Sequence, residues 1–414
     1  MIVAVICDVL GEENNGTTIA AMNLIRTLRE KGHQVRVVSP DASRAGEPDH
    51  FVVPTRNLGV FNQYVAKNGV SLARPLRPVL EQALEGVDVV HVMVPFSLGH
   101  AAAVLAREKG IPLTAGFHCQ AENFTNHIFL MNAPRVNQMT YRFFYRRLYQ
   151  YCTCVHYPTQ FICDLFEQVT QPTRHYVISN GVNRAFTCKA YPRPKELEGK
   201  YVILSTGRYS REKAQWVLID AVAKSRHSSR IQLVLAGQGP QQKALERRAA
   251  KRGILPPIYG FHSRPDLIRI INLADLYVHP AEIEIEAIAC LEALACGKVP
   301  VISDSPRSAT RYFALSDRNL FRCNDSGDLA QKIDYWLDHP QERRACSQSY
   351  LGYAQQFDFV PLHGRHGGHA PGRCKRGASW LNAPFITPIP STTTLPATTS
   401  EPRWWIKAFP SFTH

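Results

Sequence analysis

Two glutamates, Glu284 and Glu292, stand eight residues apart in the run His279-Pro280-Ala281-Glu282-Ile283-Glu284-Ile285-Glu286-Ala287-Ile288-Ala289-Cys290-Leu291-Glu292-Ala293. With a strand ending near Pro280 and a helix beginning near Glu286, Glu284 lies on the connecting loop and Glu292 about two turns inside the helix. The N–H groups of Ala287, Ile288 and Ala289 at such a helix start can hold a phosphate. An acidic cluster before a helix is ordinarily a solvated surface. Glu292 argues against that reading, because it falls among Leu291, Ala293 and Leu294, where a carboxylate requires a specific partner.

A second group lies in Gly207-Arg208-Tyr209-Ser210-Arg211-Glu212-Lys213, where Arg208 and Lys213 can converge on a diphosphate, the arginine through its planar fork. Alone, this loop reads equally well as a solvated turn. In Asn14-Asn15-Gly16-Thr17-Thr18, Gly16 opens a turn into a helix and permits close backbone approach to a ligand. In Phe117-His118-Cys119-Gln120, His118 sits at a strand end, at the edge where a cleft would lie, a place where a lone histidine ordinarily serves packing.

The glutamate stretch, continued by Ala295-Cys296-Gly297-Lys298-Val299-Pro300-Val301-Ile302, resembles the signature of glycosyltransferase family 4, and the resemblance runs from about Met1 to Phe357. It implies that Glu284 contacts the donor hexose and Glu292 the ribose hydroxyls. Arg208 and Lys213 would neutralise the departing nucleotide, His118 would face the transferred sugar, and Gly16 would lie against the donor phosphates. It also assigns Ser179-Asn180-Gly181-Val182-Asn183 to the interdomain strand end, Gly237 to a glycine turn at the cleft, and Gly260 and Phe261 to the base-binding loop. Ile285-Glu286-Ala287 stands where many relatives carry Gly-aromatic-Gly, which leaves the donor sugar open.

The implied chemistry is transfer of a hexose, with retention, from a nucleotide diphosphate sugar (a UDP-sugar favoured) by front-face attack beside the departing phosphate. A sugar-nucleotide 2-epimerase on the same fold, or a transferase to a soluble glycan, is the competing reading. No D-x-D occurs, so neither a metal nor any other cofactor is expected to be essential.

Positioning these groups requires two domains, which 414 residues with 45% hydrophobic content can supply. Strand-like runs at 1–7, 35–39, 87–93, 113–117 and 155–157 alternate with helical patterns at 19–31 and 98–109, and the alternation restarts at 202–206 and continues to 303. The expectation is an α/β protein of two Rossmann-like domains facing a central cleft, the GT-B fold, with parallel sheets binding ligands at their strands' carboxyl ends. An acceptor domain is drawn at 1–172, a donor domain at 173–345 and a return segment at 346–358. The Gly-, His- and Thr/Pro-rich tail 359–414 is expected to be disordered and frameshifted, with His363, His366 and His369 incidental.

The net charge of +14 favours a polyanionic partner: nucleic acid, an anionic membrane or a diphosphate. Dispersed basic residues without a zinc-finger or RNA-recognition motif disfavour nucleic acid. The 11 scattered cysteines suit a reducing cytosol, and no apolar run is long enough to span a bilayer. The segment 135–151 reads as a basic, aromatic amphipathic helix. Its Arg142, Phe143, Phe144, Arg146 and Arg147 either meet an anionic membrane or pack into the first domain. Taken with the lipid-glycosylating relatives, it leans the acceptor toward a membrane lipid such as diacylglycerol. The expected location is cytoplasmic, peripheral on the inner face of the membrane.

Overall fold

The structure, a computed structural model, describes residues 1–8, 16–57, 59, 72–126, 130–260 and 262–357. Asn14, Asn15, Phe261 and the tail from 359 lie outside the described residues.

The Val- and Ile-rich runs become strands buried on both faces, as parallel sheets demand. In the first domain β1 (Ile2–Ile6), β2 (Gln34–Ser39), β3 (His50–Val52), β4 (Val89–Val92), β5 (Leu113–Gly116), β6 (Cys154–Tyr157) and β7 (His175–Val177) pair in the order 3-2-1-4-5-6-7, all parallel. Helices α1 (Gly16–Glu30), α2 (Arg77–Ala83), α3 (Ser97–Glu108), α4 (Ala121–Asn126), α5 (Pro134–Arg147) and α6 (Gln160–Val169) connect them. On α1 the buried Ala20, Ala21, Leu24, Ile25 and Leu28 recur at helical spacing and cover β1 and β2.

The second domain repeats the plan. Strands β8 (Tyr201–Thr206), β9 (Ile231–Ala236), β10 (Ile258–Gly260), β11 (Leu276–His279), β12 (Pro300–Ser303) and β13 (Leu320–Phe321) pair in the parallel order 10-9-8-11-12-13. Helices α7 (Gln215–Lys224), α8 (Gln242–Arg252) and α11 (Ser326–Asp338) bury Val217, Leu245 and Leu329 in one core. Helices α9 (Arg264–Leu273), α10 (Ile288–Ala295) and α12 (Pro340–Ala354) bury Ile271, Leu291 and Tyr350 in the other. Strand order reverses between β1 and β4 and between β8 and β11, which opens a crevice at the carboxyl ends of both sheets. The structure is thus the two-domain, Rossmann-like GT-B architecture.

Several boundaries differ from the sequence reading. The division at 172/173 falls just before β7, whose His175, Tyr176 and Val177 pair with β6, so the first sheet ends at Val177. The division at 345/346 cuts through α12. The strands β3 and β7 are only three residues each, too short for a periodic pattern, and their sheet neighbours define them.

Phe144 corrects a larger expectation. It is 1% exposed, packed with Tyr141 into the first-domain core, and its ring lies 5.9 Å from Phe124. It therefore cannot contact a membrane. Phe143 is half-buried, the Arg147 guanidinium stands 5.5 Å from its ring, and Arg142 and Arg146 are exposed. The amphipathic stripe turns inward, and only its basic edge faces outward.

Candidate active site

Glu284 follows β11 on the loop to α10 and is buried. Its Oε1 accepts from the Lys213 ammonium and, at 3.1 Å, from His279 Nε2. The other ring nitrogen of His279 meets the Tyr277 hydroxyl at 3.2 Å, and Thr206 meets that hydroxyl at 2.9 Å. A buried polar chain thus runs from the end of β8 through β11 to Glu284. Burial pushes the Glu284 carboxyl up, but Lys213 and His279 outweigh it and hold the group at about 2. Glu284 is therefore an anion and a permanent acceptor, suited to sugar hydroxyls.

Lys213 reaches Glu284 because the loop after β8 is tightly wound. Gly207 has φ 140°, and a Cβ on Gly237 would stand 2.1 Å from the Gly207 carbonyl oxygen. Tyr209 N–H donates to Gln238 O at 2.9 Å, and Gly237 N–H to Gly260 O at 2.7 Å. The glycines at 237 and 260 accordingly let three loops interlock beside the cleft, a packing role beneath the donor-binding role assigned to them. Arg208 is half-buried on the same loop, and its carbonyl accepts from Gln215 Nε2 at 2.9 Å.

Helix α10 starts at Ile288, two residues later than its sequence suggests, because Ala287 adopts a left-handed conformation with φ 59° and ψ 69°. The Ala287 carbonyl takes the N–H groups of Cys290 and Leu291. The N–H groups of Ile288 and Ala289 lie before the helical ladder begins, the position from which a helix start holds an anion. Glu292 is half-buried one turn further on.

Across the cleft, His118 follows β5, and its ring folds over Gly116, where a Cβ would lie 2.3 Å from Nε2. Beneath it Phe117 packs 4.7 Å from Phe166 and 5.1 Å from Tyr149. Burial, then His156 and His91, hold the His118 imidazole well below its ordinary protonation range. It is neutral, as a partner for hydroxyls should be. Gly16 begins α1, and Thr17 Oγ1 donates to His118 O at 3.4 Å, so these two sequence-distant groups meet.

Arg307, absent from the sequence reading, joins the two halves. Its guanidinium pairs with Glu282 and donates to Met131 O at 3.1 Å and Asn132 Oδ1 at 2.9 Å in the first domain. Its carbonyl accepts both Gln120 Nε2 at 3.1 Å and Glu284 N–H at 3.4 Å. Thr159 Oγ1 donates to Ile285 O at 2.8 Å, and Ile285 packs on the first-domain core. A cavity of about 440 Å³ lies between the domains, walled by Asn126 and Asn132 on one side and Ser210, Trp216, Arg248 and Glu282 on the other.

Two parallel sheets therefore meet at their carboxyl edges around a fixed carboxylate, a lysine and a neutral histidine. Residues 14–186 match Glycosyltransferase Family 4, and residues 189–350 match Glycosyl transferases group 1. The chain belongs to glycosyltransferase family 4. It is a hexosyltransferase using a nucleotide-sugar donor. It is similar to the alpha-monoglucosyldiacylglycerol synthase of Streptococcus pneumoniae, 24% identical over 310 residues that cover 70% of this chain and 68% of that protein. The GDP-mannose-dependent alpha-mannosyltransferase of Corynebacterium glutamicum is 26% identical over 369 residues, 85% of this chain and 84% of that protein. Among solved structures, Anabaena HepE in complex with UDP superposes with a TM-score of 0.68 at 17% identity, over 86% of this chain and 96% of that one.

Proposed function

We propose that this family 4 enzyme moves a hexose from a UDP-sugar to the hydroxyl of a membrane lipid of the diacylglycerol class, with retention of anomeric configuration and without an essential metal. The observation that carries this reading is the Lys213–Glu284–His279 arrangement at the carboxyl end of β11. Before the donor arrives, Lys213 is held by Glu284. A bound diphosphate draws the ammonium to itself and leaves the Glu284 carboxylate to accept from the hexose hydroxyls.

Arg208, Lys213 and the N–H groups at the start of α10 then face the charge that develops as the bond from C1 to the phosphate oxygen breaks. The acceptor oxygen bonds to C1 on the same face, and its proton passes to the departing diphosphate. Glu292 takes the ribose hydroxyls, and His118 a hydroxyl of the transferred sugar. Lipid as acceptor is supported by the two alpha-monoglucosyldiacylglycerol synthases among the relatives and by the outward basic edge of α5, where Arg142 and Arg146 are exposed. No helix among the described residues is long and apolar enough to cross a membrane, so attachment would be peripheral.

A second reading, a mannosyl donor on GDP, is favoured by the GDP-mannose-dependent relatives. One assay decides: release of nucleoside diphosphate from UDP- and GDP-sugars, with and without anionic vesicles containing diacylglycerol. Vesicle-dependent release from a UDP-hexose with a labelled glycolipid supports the first reading. Release only from GDP-mannose overturns its donor, and full transfer to a soluble acceptor without vesicles overturns its lipid.

A further inference from the structure

Far from the cleft, α6 and β7 bring a thiol, an imidazole and a carboxylate together. Cys163 and Glu167 are one turn apart on α6 and so share a face, and His175 opens the edge strand β7 beside them. Their candidate ligand atoms all lie within 4.8 Å of one another. Thr159, the N-cap of α6, is at the cleft end of the helix, so Cys163 and Glu167 lie progressively away from the site described above.

The distances are those of a metal site. Cys163 Sγ and His175 Nε2 are 3.5 Å apart. Zinc–sulfur and zinc–nitrogen bonds of about 2.3 and 2.0–2.1 Å at a tetrahedral angle set the two atoms about 3.5–3.6 Å apart. The opposite ring nitrogen, Nδ1, hydrogen-bonds Thr173 O at 2.9 Å and stands 3.0 Å from Glu167 Oε1, two acceptors that hold the proton on Nδ1 and leave Nε2 to face a metal. Glu167 Oε1 is itself anchored by Thr173 N–H at 2.8 Å and Thr173 Oγ1 at 2.7 Å. The Tyr157 ring packs edge-on against the imidazole at 5.5 Å. Cys163 is buried, whereas the His175 and Glu167 side chains are 30% and 20% exposed, which leaves a path from solvent and room for a water ligand.

We propose that Cys163, His175 and Glu167 form a binding site for a soft divalent ion, zinc above all, with Cys163 Sγ and His175 Nε2 as direct ligands, solvent completing the tetrahedron and Glu167 steadying the imidazole from the side of Nδ1. One sulfur and one imidazole select zinc over magnesium or calcium. A metal here staples α6 to the edge strand and thereby steadies the helix whose N-cap holds Ile285 of the second domain.

The test is titration of metal-stripped, full-length protein with cobalt(II), followed by zinc competition. The expected result is one equivalent of cobalt giving a cobalt–thiolate charge-transfer band that zinc removes. Cys163→Ala should abolish the band and His175→Gln should lose it while keeping the side-chain shape. Glu167→Gln should weaken binding by about 10–100-fold. Nucleotide binding by each variant reports that it is folded. Absence of a thiolate band in the wild type, meaning a thiol–imidazole hydrogen bond only, overturns the proposal. So does an undiminished band in Cys163→Ala, which would place the metal on another cysteine.

Discussion

Glu286 of the second domain grips Asn180 at the interdomain strand end through both nitrogens of that residue, the backbone N–H at 3.1 Å and Nδ2 at 2.6 Å. The carboxyl is 3% exposed, and burial pushes it up to about 7 in spite of the hydrogen bonds from Asn180 and Ser179. The folded protein therefore binds a proton here that the unfolded chain releases near 4.5. With more protons on the folded state, this group's contribution to stability is greatest below about 4.5 and falls as pH rises toward 7, by on the order of 3 kcal/mol. Glu286→Gln should flatten that part of the stability–pH curve in denaturant titrations. An unchanged slope between the two proteins would show that Glu286 titrates normally.

Arg208→Ala and Glu284→Ala should each lower kcat by roughly 10²–10³-fold, the scale for losing one preorganised group facing transition-state charge. Steady-state rates with the identified donor provide the check. Near-normal turnover in either variant removes that residue from the chemistry. Lys213→Ala leaves Glu284 buried with only His279, so the acid limb of the rate profile should move to higher pH.

Ala287 holds a left-handed conformation that strains any residue with a Cβ. Ala287→Gly should raise unfolding free energy by about 1 kcal/mol once the strain relief is set against the greater freedom of the unfolded chain. Urea denaturation midpoints measure it, and a loss of stability would mean that the Ala287 methyl packs favourably.

Phe144 and its neighbours on α5 should separate cleanly. Phe144→Ala removes a core ring and should destabilise by about 3–5 kcal/mol. Arg142→Glu with Arg146→Glu should leave Tm nearly unchanged and weaken binding to anionic vesicles by about 1 kcal/mol or more per arginine. Equal vesicle binding by the charge-reversed protein would remove α5 from the membrane contact.

Added magnesium or manganese should leave turnover within about twofold, because cationic side chains and the start of α10 supply the positive charge at the diphosphate. Strict dependence on either ion, measured by nucleotide release, would show that a metal shares that task.

Much of the fold was legible because parallel strands and covering helices are local patterns. Ile2–Ile6, Tyr201–Thr206 and Ile231–Ala236 are apolar runs that only a strand buried on both faces accommodates. The spacing of Glu284 and Glu292 and the basic loop at Arg208 and Lys213 were equally plain, since each motif sits within a few residues of one chain segment. The short β3 and β7 were not, because three residues are too few to show a period and these strands are defined by hydrogen bonds to a neighbour.

What the amino-acid sequence determined by itself was therefore the alternation of strand and helix, the two domains, and the residue types available at each strand end. Tertiary structure alone decided which of them meet. Lys213 and Glu284 are 71 residues apart, Asn180 and Glu286 are 106 apart, and the stripe on α5 could have faced lipid or core until Phe144 found Phe124. Periodicity fixes the direction in which a side chain points from its own element. Only the packing of one element on another fixes what it encounters, and with it whether a carboxylate is held near 2, as in Glu284, or near 7, as in Glu286.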